Sequence, residues 1–260
     1  MSENTIIGAP FDRTNRLKSI LADRRQPMVS DDADQIASRL FKIRAAHSSG
    51  QRSSANILID RMYSWRGYQT ESGALEDGQS LDRITLVASD RDVVIGTMSV
   101  GFDSPAGLLV EDLFPVEVNA LRKAGSRICE FTKLAMDAEL SSKQVLASLF
   151  HVAYIYAHRI RGFDCLMIEV NPRHVRYYER VLGFEVLGPE RLNRRVNAPA
   201  VLLCLRFAHT QEQIGKFGGQ PHLAAAQRSL YPYAFSVAEE AGIVARLKNP
   251  VANAASAYRH

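Results

Sequence analysis

The longest regular run of apolar positions begins near residue 142. Val145, Leu149, Val152, Tyr156 and Ile160 form one helical stripe, and Leu146, Phe150, Ala153 and Ala157 widen it. The spacing predicts a helix over 142–161 that lies under a sheet. Ser141 and Gln144 fit a capping box at its start, and Gly162 ends it. Residues 127–136 read as a strand feeding that helix. Residues 164–170 form an apolar run between Gly162 and Pro172, the pattern of a buried strand. A helix over 172–182 opens with proline in its first turn, and strands over 184–187 and 200–207 close the sheet. Upstream, 83–88 and 93–100 read as strands joined by a hairpin turn over 89–92, and 114–124 as a short helix closed by Gly125. Ile36, Leu40 and Ile43 sit near helical spacing, which predicts a helix over 33–47 capped by Asp31 or Asp32. Residues 54–80 are mixed, with Tyr63, Trp65 and Tyr68 close together.

A strand-rich start followed by β-α-β-α-β order makes a mixed α/β domain. The crossover over 126–170 implies two parallel neighbouring strands joined right-handedly. Three parts follow: a polar arm over 1–30, a folded domain over 31–208, and an alanine-rich extension over 209–260. In the extension Ile243, Val244 and Leu247 keep helical spacing and no strand is expected.

Composition narrows the class. Of the 260 residues 46% are hydrophobic and 23% charged, which permits a sizeable core without disulfides or metal. Cys129, Cys165 and Cys204 all lie in apolar strand-like runs, as expected of reduced core thiols in a cytoplasmic protein. The first residues hold no long apolar stretch, so no secretory signal is expected. The net charge of +4 is spread along the chain. That argues against nucleic-acid binding, which needs a denser basic patch with aromatics, and favours an acidic partner. The histidines show no metal-ligand spacing, and there is neither a Ser-His-Asp signature nor a phosphate-binding glycine loop.

The candidate chemistry lies in the strand before the long helix, RICEFTKLAMD. Glu130 sits between Cys129 and Phe131, where desolvation raises a carboxyl toward the range of a general base. The strand-to-helix junction resembles the place where some enzymes hold an activated acyl group. Yet no glycine occurs between Gly125 and Gly162. A turn that cradles a free pyrophosphate uses glycine for close backbone approach, so this one is poorly suited to a nucleotide cofactor.

These segments carry a family likeness over roughly 80–207. VNPRHVRYYERVLGF (170–184) resembles the last helix of the GNAT N-acyltransferase superfamily, with Asn171, Tyr178 and Gly183-Phe184 at the matching places and the Gly-Phe one residue late. CEFTKLAMD is similar to the Glu-x-x-Arg strand of acyl-homoserine-lactone synthases, with Glu130 kept and lysine at 133. Together with LFPVEVNALRKAGSRICEFTKLAMD and NRRVNAPAVLLCLRF, the chain is most similar to bacterial long-chain N-acyl amino acid synthases. The resemblance implies a GNAT-type, mostly antiparallel twisted sheet flanked by helices, with a central strand pair splayed into a V. It implies transfer of a fatty acyl group from acyl carrier protein to the amine of an amino acid. The glycine loop that holds coenzyme A in most GNAT acetyltransferases is replaced by DAELSSK over 137–143, which favours a carrier-protein donor. Carrier proteins are acidic, which suits the basic tilt.

The roles that follow are these. Glu130 takes the ammonium proton. Tyr178 protonates the leaving sulfur, or else packs in the core. Lys133 holds the substrate carboxylate or pairs with Glu130; on a regular strand 130 and 133 face opposite ways, so a bulge must bring them together. Arg173 is a second candidate for the carboxylate. Backbone N–H groups of Leu134, Ala135 and Met136 form the oxyanion hole. Asn171 meets the pantetheine amides or caps the following helix, and Ser141 and Ser142 meet its phosphate or cap theirs. Leu166 and Ile168 line an acyl tunnel or simply pack. No permanently bound cofactor or metal is expected, the acyl-phosphopantetheine being the donor, and membrane contact is expected only through a lipid product. Three other functions fit less of the sequence: a coenzyme A-dependent N-acetyltransferase, an acyl-homoserine-lactone synthase, and a non-catalytic module that binds acyl chains or carrier protein.

Overall fold

The computed structural model describes residues 5–11, 39–46, 49–65, 82–137 and 142–248. Eight strands form one sheet: β1 (Thr5–Phe11), β2 (Arg39–Ala45), β3 (Arg83–Asp90), β4 (Val93–Phe102), β5 (Ile128–Met136), β6 (Cys165–Val170), β7 (Glu185–Asn193) and β8 (Ala198–Arg206). Their order is β1-β2-β3-β4-β5-β6-β8-β7, and every neighbouring pair is antiparallel except β5 and β6. That parallel pair is the crossover expected from the sequence. The fold is thus the mixed, mostly antiparallel α/β sheet that the pattern and the resemblance imply.

Helices cover both faces. One face carries α1 (Ser49–Trp65), a 3-10 turn (Leu109–Asp112) and α2 (Pro115–Lys123). Leu58, Ile59 and Met62 pack with Ala135 there, and Val110, Phe114 and Val118 pack with Ile128, Met167 and Leu202. The other face carries α3 (Lys143–Tyr154), α4 (Val175–Leu182) and, past β8, the helices α5 (Phe207–Phe217), α6 (Ala224–Gln227) and α7 (Val237–Lys248). The wide stripe of α3 is buried from Val145 to Tyr154. A wider helical turn, Ile155–Ile160, continues it to Gly162, which adopts a φ of +71°. Pro172–His174 form a 3-10 turn before α4, and Gly183 closes α4 in the left-handed conformation.

Three expectations need correction. Residues 39–45, expected within a helix over 33–47, are strand β2. The buried positions are Phe41, Ile43 and Ala45, alternating with Lys42 and Arg44, while Leu40 points outward at 54% exposure. A period of two decided the element, and the Leu40–Ile43 spacing misled. The rest of that expected helix, 33–38 and 47, lies outside the described residues. Helix α1 begins at Ser49, before the stretch left as mixed, and runs into it as far as Trp65; its buried positions Ala55, Leu58, Ile59 and Met62 keep helical spacing. The expected arm contains β1, paired antiparallel with β2. A smaller correction concerns α3: its cap is Ser142, whose side-chain oxygen accepts the Val145 N–H, and Ser141 lies outside the described residues.

Candidate active site

The site is built where β5 and β6 part. The two strands pair at only three positions, Ile128–Cys165, Cys129–Leu166 and Glu130–Met167. Beyond them β5 runs on to Met136 beside β4, and β6 runs on to Val170 beside β8. Between these arms the ladder stops. Glu130 stands at the last paired position.

Alternation along β5 puts Glu130 on the face of the 3-10 turn and Phe131 on the face of α3. Gly101 lies opposite Glu130 on β4. A Cβ at 101 would come within 2.8 Å of Glu130 Oε1, so glycine makes room for the carboxylate. The Val110 N–H, at the start of the 3-10 turn, donates to Glu130 Oε2 at 2.9 Å. Arg83 on β3 places Nη2 3.4 Å from Oε1. The residue is 1% exposed. Burial pushes the Glu130 carboxyl up, against the Val110 and Leu109 N–H groups and the charges of Arg83 and Arg195, which pull it down.

A second carboxylate shares this face. Glu169 lies two residues beyond Met167 on β6, on the opposite arm of the V. Arg195 Nη2 sits 3.1 Å from both of its oxygens, and Asn193 Nδ2 also donates to it. Arg195 Nη1 in turn donates to the Leu109 carbonyl at 2.9 Å and to Asp112. Burial raises Glu169, Arg195 lowers it, and the charge of Glu130 raises it further. Arg83, Glu169, Asn193 and Arg195 were not singled out from the sequence. The partners they meet across the site lie 24 to 86 residues away in sequence, and no local spacing joins them.

β5 carries the bulge that the resemblance calls for. Ser99 pairs with Thr132 but Thr97 with Ala135, so one extra residue is inserted on β5. Lys133 takes the insertion with a φ of +53°, a conformation a non-glycine residue rarely adopts. Leu134 packs toward the α3 core and Ala135 toward α1, and with Met136 they form the β5 arm beyond the bulge. On the Glu130 face Thr85 and Ser99 share a hydrogen bond of 2.8 Å, while the buried hydroxyls of Thr97 and Thr132 have no partner among the described residues.

The other candidates lie along the β6 arm and at the start of α3. The Asn171 side chain accepts the Arg173 N–H at 3.2 Å and caps the 3-10 turn. Arg173 is exposed, with Nε 3.2 Å from His174 Nε2. Tyr178 is buried, its ring 6.5 Å from Phe150 and 5.8 Å from Phe184. Ser142 is buried as the α3 cap. Glu130 and Leu134–Met136 thus lie on one strand, on either side of the bulge, while Asn171 directly follows the end of β6 and Tyr178 packs in the core on the α3 side. Among the described residues no cluster of His, Cys, Asp or Glu is arranged to hold a metal, and no helix is long and apolar enough to cross a membrane.

Comparison with known proteins bears on this geometry. The family model for the N-acyl amino acid synthase FeeM matches residues 54–206. The solved structure of FeeM, an N-acyl amino acid synthase from uncultured soil microbes, is similar with a TM-score of 0.60 at 28% identity, covering 65% of this chain and 90% of that one. The AHL synthase LasI (TM-score 0.49, 12% identity, 65% and 90% covered) and an N-acetyltransferase from Staphylococcus aureus Mu50 (TM-score 0.47, 11% identity, 65% and 98% covered) are more distant. No curated protein sequence matches.

Proposed function

The chain belongs to the N-acyl amino acid synthase FeeM family and is an N-acyltransferase; from that premise we propose that it moves a long-chain fatty acyl group from the thioester of acyl carrier protein to the α-amine of an amino acid. One observation carries the reading: β5 and β6 separate directly after Glu130, so a buried carboxylate stands at the apex of an open wedge.

In this reading the phosphopantetheine arm lies between the parted strands, and β5 backbone groups replace the missing ladder. Glu130 removes the ammonium proton. The amine nitrogen attacks the thioester carbonyl, and the developing oxyanion is met by N–H groups of Leu134–Met136. The new C–N bond forms, the C–S bond breaks, the departing sulfur takes a proton from Tyr178, and the second proton shed by the amide nitrogen restores the phenol through solvent. Lys133 on the bulge binds the acceptor carboxylate, with Arg173 as the second candidate. Arg83 adds a third: a carboxylate that draws its guanidinium away from Glu130 removes a charge that holds the base down. Asn171 and Ser142, the cap of α3, are the candidates to meet the pantetheine, with Ser141 a further candidate from the sequence.

The donor is read from the turn after β5. Its sequence, DAELSSK, holds no glycine to let a nucleotide pyrophosphate approach the backbone closely. The experiment supplies free amino acids with either palmitoyl-carrier protein or acetyl-coenzyme A and looks for acylated product by mass spectrometry. Product from the carrier-protein donor is expected. Product from acetyl-coenzyme A alone would replace the donor assignment, and tight carrier binding without turnover would favour a non-catalytic module.

A further inference from the structure

On the face opposite Glu130 the structure holds a narrow cavity whose lining is almost wholly apolar. Phe131 and Leu166 form its sheet wall. Leu166 lies in the short β5–β6 ladder, and Phe131 is the first β5 residue past its end. The cavity therefore starts at the fork itself, directly behind Glu130. Phe150 of α3 flanks it, its ring 6.0 Å from that of Phe131 and 6.5 Å from that of Tyr178.

The far wall comes from a different part of the chain. Ile214, Leu230 and Ala234 line it, and all three follow Arg206, where the family match ends. This wall is fixed in place. The Leu230 N–H donates to the Val181 carbonyl at 3.0 Å, and the Tyr231 hydroxyl to the Leu182 carbonyl at 2.7 Å. The Phe235 N–H donates to His151 Nδ1 at 3.0 Å. His151, Tyr154, Thr210 and Tyr231 are among the lining residues but expose almost no polar surface to it, so the cavity suits hydrocarbon, not the amine or carboxylate of the acceptor.

We propose that the C-terminal extension is the end wall of the acyl-chain pocket, and that Ile214, Leu230 and Ala234 set the length of chain the enzyme accepts. The proposal rests on the fatty-acyl reading above. With the thioester carbonyl beside Glu130, the tail passes through the fork, between Phe131 and Leu166, and runs along α3 toward the extension. Phe131 and Phe150 turn aside to admit it, and the wall behind them stops it.

The test compares wild type with Ile214→Ala and Ala234→Leu, each first checked for cooperative melting. All three receive carrier-protein donors from octanoyl to stearoyl. Ile214→Ala is expected to move the preferred chain longer and Ala234→Leu shorter, changing the kcat/KM ratio of neighbouring chain lengths about tenfold per methylene. The same proteins are titrated calorimetrically with free fatty acids of the same lengths, which reads the wall without turnover. Opposite shifts in the two variants support the end wall. Unchanged length profiles in both assays overturn it. Failure of the wild type to turn over any donor would instead overturn the fatty-acyl reading, and the fatty-acid titration would still decide where the pocket ends.

Discussion

Glu130 is held in a way that costs stability. Its carboxyl is raised by burial, so the folded protein binds that proton more readily than the unfolded chain. Its contribution is therefore fully present below the unfolded-state value and lost as pH rises through the folded one. Glu130→Gln should accordingly melt at or above the wild-type temperature at pH 8, measured by calorimetry, while losing activity. A clear drop in melting temperature would mean that the carboxylate mainly supports the fold. Gly101 gives a second test at the same point. Gly101→Ala places a methyl group 2.8 Å from Glu130 Oε1, and should lower kcat roughly tenfold or more by displacing the base, with the circular dichroism spectrum unchanged. Wild-type kcat would show that the position of Glu130 is not critical. Glu130 was legible in the sequence because a charge inside an apolar strand stands out. Glu169 carries the same signal inside the apolar run over 164–170 and was passed over, while Arg83 and Arg195 are ordinary polar residues until the sheet brings them over the fork.

At the scale of elements, the docking of α7 depends on a buried ionic group. Glu240 Oε2 lies 3.1 Å from His151 Nε2 and Oε1 lies 2.9 Å from Arg159 Nε. Because His151 Nδ1 accepts the Phe235 N–H, Nε2 carries the proton toward Glu240. Burial raises Glu240, but the His151 hydrogen bond and the charge of Arg159 outweigh it and hold the carboxyl below its ordinary value. The stabilisation is thus present above the unfolded-state value and lost as pH falls through the folded one. Glu240→Ala should cost about 1–3 kcal/mol and raise hydrogen exchange across α7 at neutral pH. Unaltered exchange there would show that apolar packing alone holds the helix. The same scale explains what the pattern gave and missed. The α3 stripe and the β5–α3–β6 crossover were readable because long apolar runs leave few alternatives. β2 was misread because seven residues contain apolar pairs at both periods, and only the neighbouring strand β3 decides between them.

At the scale of the molecule, the family-matched core is flanked by two segments that meet. The Arg246 Nη2 of α7 donates to the Ile6 carbonyl of β1 at 3.4 Å, so the described ends of the chain touch beside the sheet. Neither contact was legible, since it joins residues 240 apart in sequence. The net charge of +4 belongs to this scale too. For an acidic carrier protein, KM should rise as salt screens the attraction, with kcat little changed. A salt-independent KM would argue against a charged macromolecular donor. The account as a whole depends on a raised carboxyl at the fork acting as the base. The pH profile of kcat/KM for wild type and Glu130→Gln, with a long-chain acyl-carrier donor, tests that most directly. Wild type should gain activity as pH climbs through a value above the ordinary carboxylate range. Glu130→Gln should be slower by roughly a hundredfold and lack that limb. Two profiles of the same height and shape would contradict the account.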